Sequence, residues 1–215
     1  QALEQSCNCY FVELGQILGG DAILQEAEKF GFGRPCAVAP GLKSNAGVVP
    51  AAEDLENVGQ LALFSFGQGG LTATPLQITA MMNTVADGGT YCTPRFVRGV
   101  TDDTLQIDTP LQVPEPEAVL DTDTARILRS MLQSVVEEGI GGEAAPQEQA
   151  AGGKTGTAQT GQYSEQGEEL LNYWFSGFYP AEKPRYTITV LQDGILEPEH
   201  SSAAIFARIA NGLQV

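Results

Sequence analysis

Two short stretches of this chain hold residue types whose order could do chemistry: Gly152-Gly153-Lys154-Thr155-Gly156-Thr157-Ala158, and Ser6-Cys7-Asn8 near the start. The first admits three readings. The plainest is a glycine-rich strand with a solvent-facing lysine. A phosphate loop would need glycine at position 148, where Glu148 stands, so that pattern fails. The third reading is the wall of a cleft for acyl transfer to a serine. There Gly156 leaves room for a peptide to lie against the strand edge. The Thr155 and Thr157 hydroxyls bind a terminal carboxylate, and the Thr157 backbone N–H faces a developing oxyanion, a contact worth about 3–4 kcal/mol in acyl-transfer enzymes. Ser6-Cys7-Asn8, taken alone, reads as a helix cap. Read as chemistry, a serine and an asparagine two apart face one cleft. The serine relays a proton to a leaving amine, and the asparagine amide holds a peptide group.

The elements that must position these residues follow from periodicity and punctuation. Residues 2–18 and 22–30 read as helices ending at Gly19-Gly20 and Gly31, residues 33–50 as a Pro/Gly-punctuated loop, and 51–63 as a helix. Thr74-Pro75-Leu76-Gln77 predicts a helix start with a capping box, running to about Ala86 and stopping at Gly88-Gly89. Ile78, Met81, Met82 and Val85 give it an apolar face. Tyr91 to Val100 reads as extended, and Thr109 to Pro116 as a proline-rich linker. Residues 121–138 form the clearest helix, with Leu128, Met131, Leu132 and Val135 on one stripe. Strands are expected over 151–158, 172–179 and 185–192, and a last helix over about 202–213. Many helices, three neighbouring strands and a closing helix predict an α/β (α+β) fold: an antiparallel sheet flanked by helices.

The 215 residues suggest one domain, or most of one. No apolar run approaches the ~18 residues that span a bilayer. A formal net charge of −16 argues against nucleic acid and anionic lipid as partners. It leaves an anionic small substrate open, because surface charge is screened beyond about 8 Å and one lysine can dominate a cleft. Cys7, Cys9, Cys36 and Cys92 have no C-x-x-C spacing and no neighbouring histidine, so zinc is not expected. Free thiols are the expectation, with one disulfide as the alternative. The start, Gln1-Ala2-Leu3-Glu4, is neither a basic signal region nor an initiator Met, so the chain reads as an excised piece with any anchor upstream.

Taken together, the motifs resemble those of the transpeptidase domain of bacterial penicillin-binding proteins, nearly end to end. Besides Ser6-Cys7-Asn8 and Lys154-Thr155-Gly156, the resemblance rests on Phe30-Gly31-Phe32-Gly33, Ser65-Phe66-Gly67-Gln68-Gly69, Thr74-Pro75-Leu76-Gln77 leading to Ala86-Asp87-Gly88-Gly89, and Trp174-Phe175-Ser176-Gly177-Phe178. The Gly-Gln-Gly and Thr-Pro-Leu-Gln forms resemble class B more than class A. The resemblance implies a β-lactamase/transpeptidase-like fold at the extracytoplasmic face of the membrane. It also implies cross-linking of peptidoglycan through acyl transfer from D-Ala-D-Ala stem peptides, and acylation by β-lactam antibiotics. Ser6 and Asn8 match the family's second motif, and Lys154, Thr155, Gly156 and Thr157 its third. Catalytic roles then fall to Ser6, Asn8 and Lys154, and substrate binding to Thr155, Gly156 and Thr157, without cofactor or metal.

One departure stands out. The family's Ser-x-x-Lys, which carries the nucleophile, occurs nowhere in these residues. The expectation is a partial domain over 1–215, inactive alone, whose N-terminal part is missing. That part, or a second subunit, would pack on apolar surface left bare. The rival reading is a non-catalytic module that grips stem peptide or β-lactam. Class D-like sensors carry Ser-x-Val, so Asn8 speaks against that version.

Lookalikes are weaker. Glu168-Glu169-Leu170-Leu171-Asn172 resembles the Glu-x-x-Leu-Asn of class A β-lactamases but follows the third motif instead of preceding it, and reads as a polar loop running from Gln159. His200, the lone histidine, reads as a solvated loop residue rather than a triad base. Trp174 reads as core or as cleft wall, and Gln68 as cleft support or as a turn-former.

Overall fold

The computed structural model describes residues 1–104, 107–110 and 112–213. Helices α1 (Asn8–Leu18) and α2 (Gly20–Lys29) are followed by a short hairpin, β1 (Ala37–Ala39) and β2 (Leu42–Lys43), then α3 (Val58–Ser65) and α4 (Pro75–Ala86). Two further strand pairs come next: β3 (Thr90–Tyr91) with β6 (Glu117–Ala118), and β4 (Gly99–Thr101) with β5 (Ile107–Pro110). Helix α5 (Thr122–Glu137) leads into the main sheet of β7 (Gly152–Tyr163), β8 (Glu169–Tyr179) and β9 (Tyr186–Ile195), and α6 (Ser202–Asn211) closes the chain. The main sheet is antiparallel in the order β7-β8-β9, with β7 and β9 as its edges.

Successive residues of a strand face opposite sides, and β8 uses both. Phe175 and Tyr179 join Phe206 and Ala210 of α6 and Val136 of α5 in one core cluster, with the Phe175 and Phe206 rings 4.7 Å apart. Phe178 joins Met82, Val85 and Ala86 of α4 and Leu132 of α5 in a second. Phe175, Phe178 and Phe206 are wholly buried, each contributing roughly 2–3 kcal/mol. The two glycines opening β7 are a packing requirement. A Cβ on Gly152 would come within 2.3 Å of the Phe178 ring, and one on Gly153 within 2.6 Å of the Phe175 ring and 2.7 Å of the Ser176 carbonyl.

The capping box at α4 forms as the sequence predicts. Thr74 Oγ1 accepts from the Gln77 N–H at 3.2 Å, and the Thr74 N–H donates to Gln77 Oε1 at 3.0 Å. Gln77 does more than cap. Its buried amide also donates to the carbonyls of Gly31 and Ala46, at 3.2 and 2.9 Å. It thereby ties the Phe-Gly-Phe-Gly turn to α4. That turn needs glycine at 31, where φ is +82° and the Tyr91 hydroxyl would lie 2.3 Å from an added Cβ.

Several boundaries differ from expectation. The first helix begins at Asn8, not at residue 2. Residues 2–6 form turns closed by Gln5 N–H to Gln1 O and Cys7 N–H to Ala2 O, and Ser6 sits at φ 51°. The predicted loop 33–50 holds the β1–β2 hairpin. The predicted helix 51–63 is a 3₁₀ turn (Ala52–Glu56) followed by α3, broken where Asn57 turns to cap α3 through Gly59 and Gln60. Only the ends of the predicted extended segment 91–100 lie in strands, at Tyr91 and at residues 99–100. The linker expected over 109–116 begins inside β5, and its Leu111 lies outside the described residues. The last helix ends at Asn211.

The polar loop predicted from Gln159 is instead a hairpin. β7 and β8 stay paired to Tyr163 and Glu169, with a register shift between Gln159 and Gln162 that Gly161, at φ 67°, absorbs. Ser164 Oγ closes the turn by accepting from the Gln166 and Glu168 N–H groups.

Candidate active site

The cap reading of Ser6-Cys7-Asn8 fails on geometry. The cap position of α1 falls on Cys7, and no side chain caps the helix. Ser6 lies just outside, in the left-handed region that only a few per cent of non-glycine residues adopt. The Glu4 carbonyl accepts from the Ile140 N–H at 3.1 Å, which ties the preceding turn to the end of α5. In this posture Ser6 Oγ accepts a hydrogen bond from Lys154 Nζ at 3.0 Å, across 148 residues of sequence. The structure therefore brings together Ser6 from the start of α1 and Lys154 from the edge strand β7.

Lys154 is half-buried and donates twice more, to the Thr155 carbonyl at 3.1 Å and to Thr155 Oγ1 at 3.2 Å. Among the described residues no ion pair includes it. Desolvation by burial lowers its pKa from the ordinary lysine value, so the ammonium is a readier proton donor than an exposed one. Asn8 opens α1 and is exposed, as is Thr157 on β7. Gly156 stands directly across from Trp174, and a Cβ there would meet Trp174 Cβ at 3.5 Å, an ordinary contact. The fold does not demand glycine at 156 as it does at 152 and 153. Trp174 is half-buried, so it borders the open face beside Gly156 instead of filling the core.

Two neighbours of the lysine strand are less visible in sequence. Ser176 pairs directly with Lys154, and its hydroxyl is 2.8 Å from Thr189 Oγ1, which lies 2.7 Å from Thr79 Oγ1 of α4. This row of hydroxyls fixes α4 to the sheet; its one visible sign is the serine inside Trp174-Phe175-Ser176-Gly177-Phe178. Gln68, between two glycines at φ 84° and 77°, donates its side-chain amide to the Thr157 carbonyl at 3.1 Å. The glycines form the turn, and the side chain between them reaches across to β7.

The lookalikes have structural work. Glu169 accepts from the Gln159 amide at 2.9 Å on the outer hairpin, and Asn172 Oδ1 accepts from the Gly194 N–H at 2.8 Å. His200 is exposed, and its backbone carbonyl accepts from Gln192. Cys7 and Cys9 are exposed free thiols; Cys36 and Cys92, also free, are half-buried.

The fold is of the β-lactamase/transpeptidase type. A D,D-transpeptidase domain of a peptidoglycan glycosyltransferase from Eggerthella lenta superposes at TM-score 0.81 with 26% identity, over 98% of this chain and 51% of that one. Penicillin-binding protein 3 of Mycobacterium tuberculosis, complexed with aztreonam, superposes at 0.82 with 30% identity, over 97% and 49%. In sequence, stage V sporulation protein D of Bacillus subtilis is 33% identical over 90% of this chain and 30% of its own length. PbpB of Mycolicibacterium smegmatis is 33% identical over 97% and 34%. Residues 1–211 match the penicillin binding protein transpeptidase domain, and the chain belongs to that family. It spans about a third of the length of these curated relatives and about half of the solved chains.

Proposed function

We propose that these residues form part of a serine-type D,D-transpeptidase domain that cross-links peptidoglycan at the extracytoplasmic face of the membrane. The observation that carries this is the hydrogen bond from Lys154 Nζ to Ser6 Oγ, which joins two motifs 148 residues apart. No Ser-x-x-Lys occurs in the sequence, so the attacking serine and its lysine base lie outside these residues, which alone are inactive. That serine attacks the carbonyl of the penultimate D-alanine and gives its proton to the adjacent lysine. The Thr157 N–H stabilises the oxyanion, while the Thr155 and Thr157 hydroxyls hold the terminal carboxylate. As the C–N bond breaks, Ser6 passes a proton to the departing D-alanine amine and is resupplied by Lys154. Asn8 holds the stem peptide's amide. An acceptor amine then attacks the ester, forming the cross-link and restoring the serine. A β-lactam enters by the same first step, its ring nitrogen taking the place of the leaving amine.

The segment bearing the nucleophile, on this polypeptide or a second subunit, needs a seat. Ile127 and Met131 on α5, together with Ile140, are each about half exposed and offer apolar surface for it. Light scattering showing a well-behaved monomer of residues 1–215 alone counts against such a seat.

The test is acylation by a labelled penicillin of the full-length protein that contains these residues. Lys154→Ala and Ser6→Ala are each expected to slow acylation about 10²–10³-fold, and the double variant by little more than either, because the two act as a unit. Additive losses would separate the residues. No adduct on the unsubstituted protein would favour a non-catalytic binding module.

A further inference from the structure

The reaction steps above leave one contact unused, that between Gln68 and β7. Resting on the transpeptidase reading, we propose that Gln68 is a positioning residue. Its amide holds the Thr157 carbonyl until a ligand's backbone-like N–H displaces it, and it thereby disfavours ligands that carry such a group relative to ligands that do not.

β7 is an edge strand, and on the transpeptidase reading its outer side is where a peptide lies. In an antiparallel pair, alternate residues turn N–H and C=O outward. Thr155 and Thr157 are two apart, and both carbonyls accept from side chains: Thr155 from Lys154 Nζ and Thr157 from Gln68 Nε2. A carbonyl accepts only from the NH₂ end of a glutamine, so the partner fixes which way this amide points. The Gln68 main chain is anchored. Its N–H donates to the Leu63 carbonyl at 2.9 Å and that of Gly67 to Phe64 at 3.0 Å, both at the end of α3. The positive φ of Gly67 and Gly69 projects the side chain across to β7. The arrangement is a fixed stem with one movable arm.

A peptide that lies along β7 adds as a strand, and strand addition runs on main-chain hydrogen bonds to the edge carbonyls. The Thr157 carbonyl is therefore wanted by two donors approaching in the sheet plane, the ligand's N–H and the Gln68 amide. A ligand with the N–H must first release Gln68. A ligand without it leaves Gln68 in place.

The test compares two β-lactams on the full-length protein: a penicillin, which bears an acylamino N–H beside the ring, and a carbapenem, which lacks it. The reading is the ratio of their second-order acylation rates. Gln68→Ala and the near-isosteric Gln68→Glu both remove the donor, and both are expected to raise the penicillin-to-carbapenem ratio by about fivefold, one net hydrogen bond. The gain should appear in the binding constant and not in the limiting rate. A ratio that is unchanged or falls overturns the proposal; equal shifts for both drugs would make Gln68 a loop support only. No adduct from either drug on the unsubstituted protein overturns the transpeptidase reading and this inference with it. An adduct with an unmoved ratio overturns the inference alone.

Discussion

Gly153 and Gly156 sit three apart on β7, and packing demands glycine only at the first. An alanine at 153 would place its Cβ 2.6 Å from the Phe175 ring and 2.7 Å from the Ser176 carbonyl. Phe175 is wholly buried, packed on Phe206, and the carbonyl belongs to the adjoining strand, so neither can yield cheaply. Overpacking of this kind costs about 1–3 kcal/mol. At about 2–4 °C per kcal/mol for a domain of this size, Gly153→Ala should lower the melting temperature by roughly 2–12 °C. At 156 the same methyl meets Trp174 Cβ at 3.5 Å, and the strand gains the roughly 0.5–1 kcal/mol by which alanine exceeds glycine in regular structure. Gly156→Ala should leave melting unchanged or slightly raised, yet slow penicillin acylation about tenfold or more, because its methyl fills the face a peptide would lie on. Differential scanning calorimetry and labelled-penicillin kinetics on the full-length protein separate the two effects. Gly156→Ala melting as low as Gly153→Ala, or acylating at the unsubstituted rate, would overturn this division between the two glycines.

Two further outcomes are expected. Burial lowers the Lys154 pKa, so if Lys154 supplies a proton, the alkaline limb of the acylation profile should fall below the ordinary lysine value of 10.5. Lys154→Arg, whose charge persists, should move that limb upward or abolish it; an unmoved limb would mean another group sets it. The sign for stability is opposite. A lysine with a depressed folded pKa binds fewer protons folded than unfolded, so its contribution to stability should rise as pH climbs from that lowered value toward 10.5, and Lys154→Met should remove that rise in pH-dependent melting. Gln77→Leu removes the side-chain half of the capping box and leaves the Gly31 and Ala46 carbonyls without their donor, a loss of about 2 kcal/mol or more by urea denaturation.

The elements legible in sequence were those whose signals are local. Thr74, Pro75 and Gln77 announce a helix start within four residues, and alternation in Tyr186 to Val190 announces a strand. The strand that carries Lys154 was legible in its local pattern, whereas the motif stood out only when paired with Ser6-Cys7-Asn8 far upstream. Illegible were features set by distant partners. Nothing near Ser6 signals φ 51°; that posture belongs to a turn tied to Ile140, and its consequence appears only at Lys154. The reach of Gln68 to Thr157 is likewise a product of the chain's return after 89 residues. The hairpin beyond Gln159 was missed because its polar composition reads as loop, whereas one glycine bulge lets the ladder continue through it.

The far edge of the main sheet bears on handling these residues apart from their surroundings. β9 offers ten residues of Thr-, Val- and Ile-rich strand, long enough to template a neighbour. Asp193 is the only charged side chain along it, near its end. A preparation of residues 1–215 alone would be held apart chiefly by its net charge of −16, a repulsion that salt screens. Colloidal stability should therefore fall as ionic strength rises, with edge-to-edge strand pairing as the route to aggregation, and a lysine placed mid-strand at Leu191 would act as a gatekeeper against it.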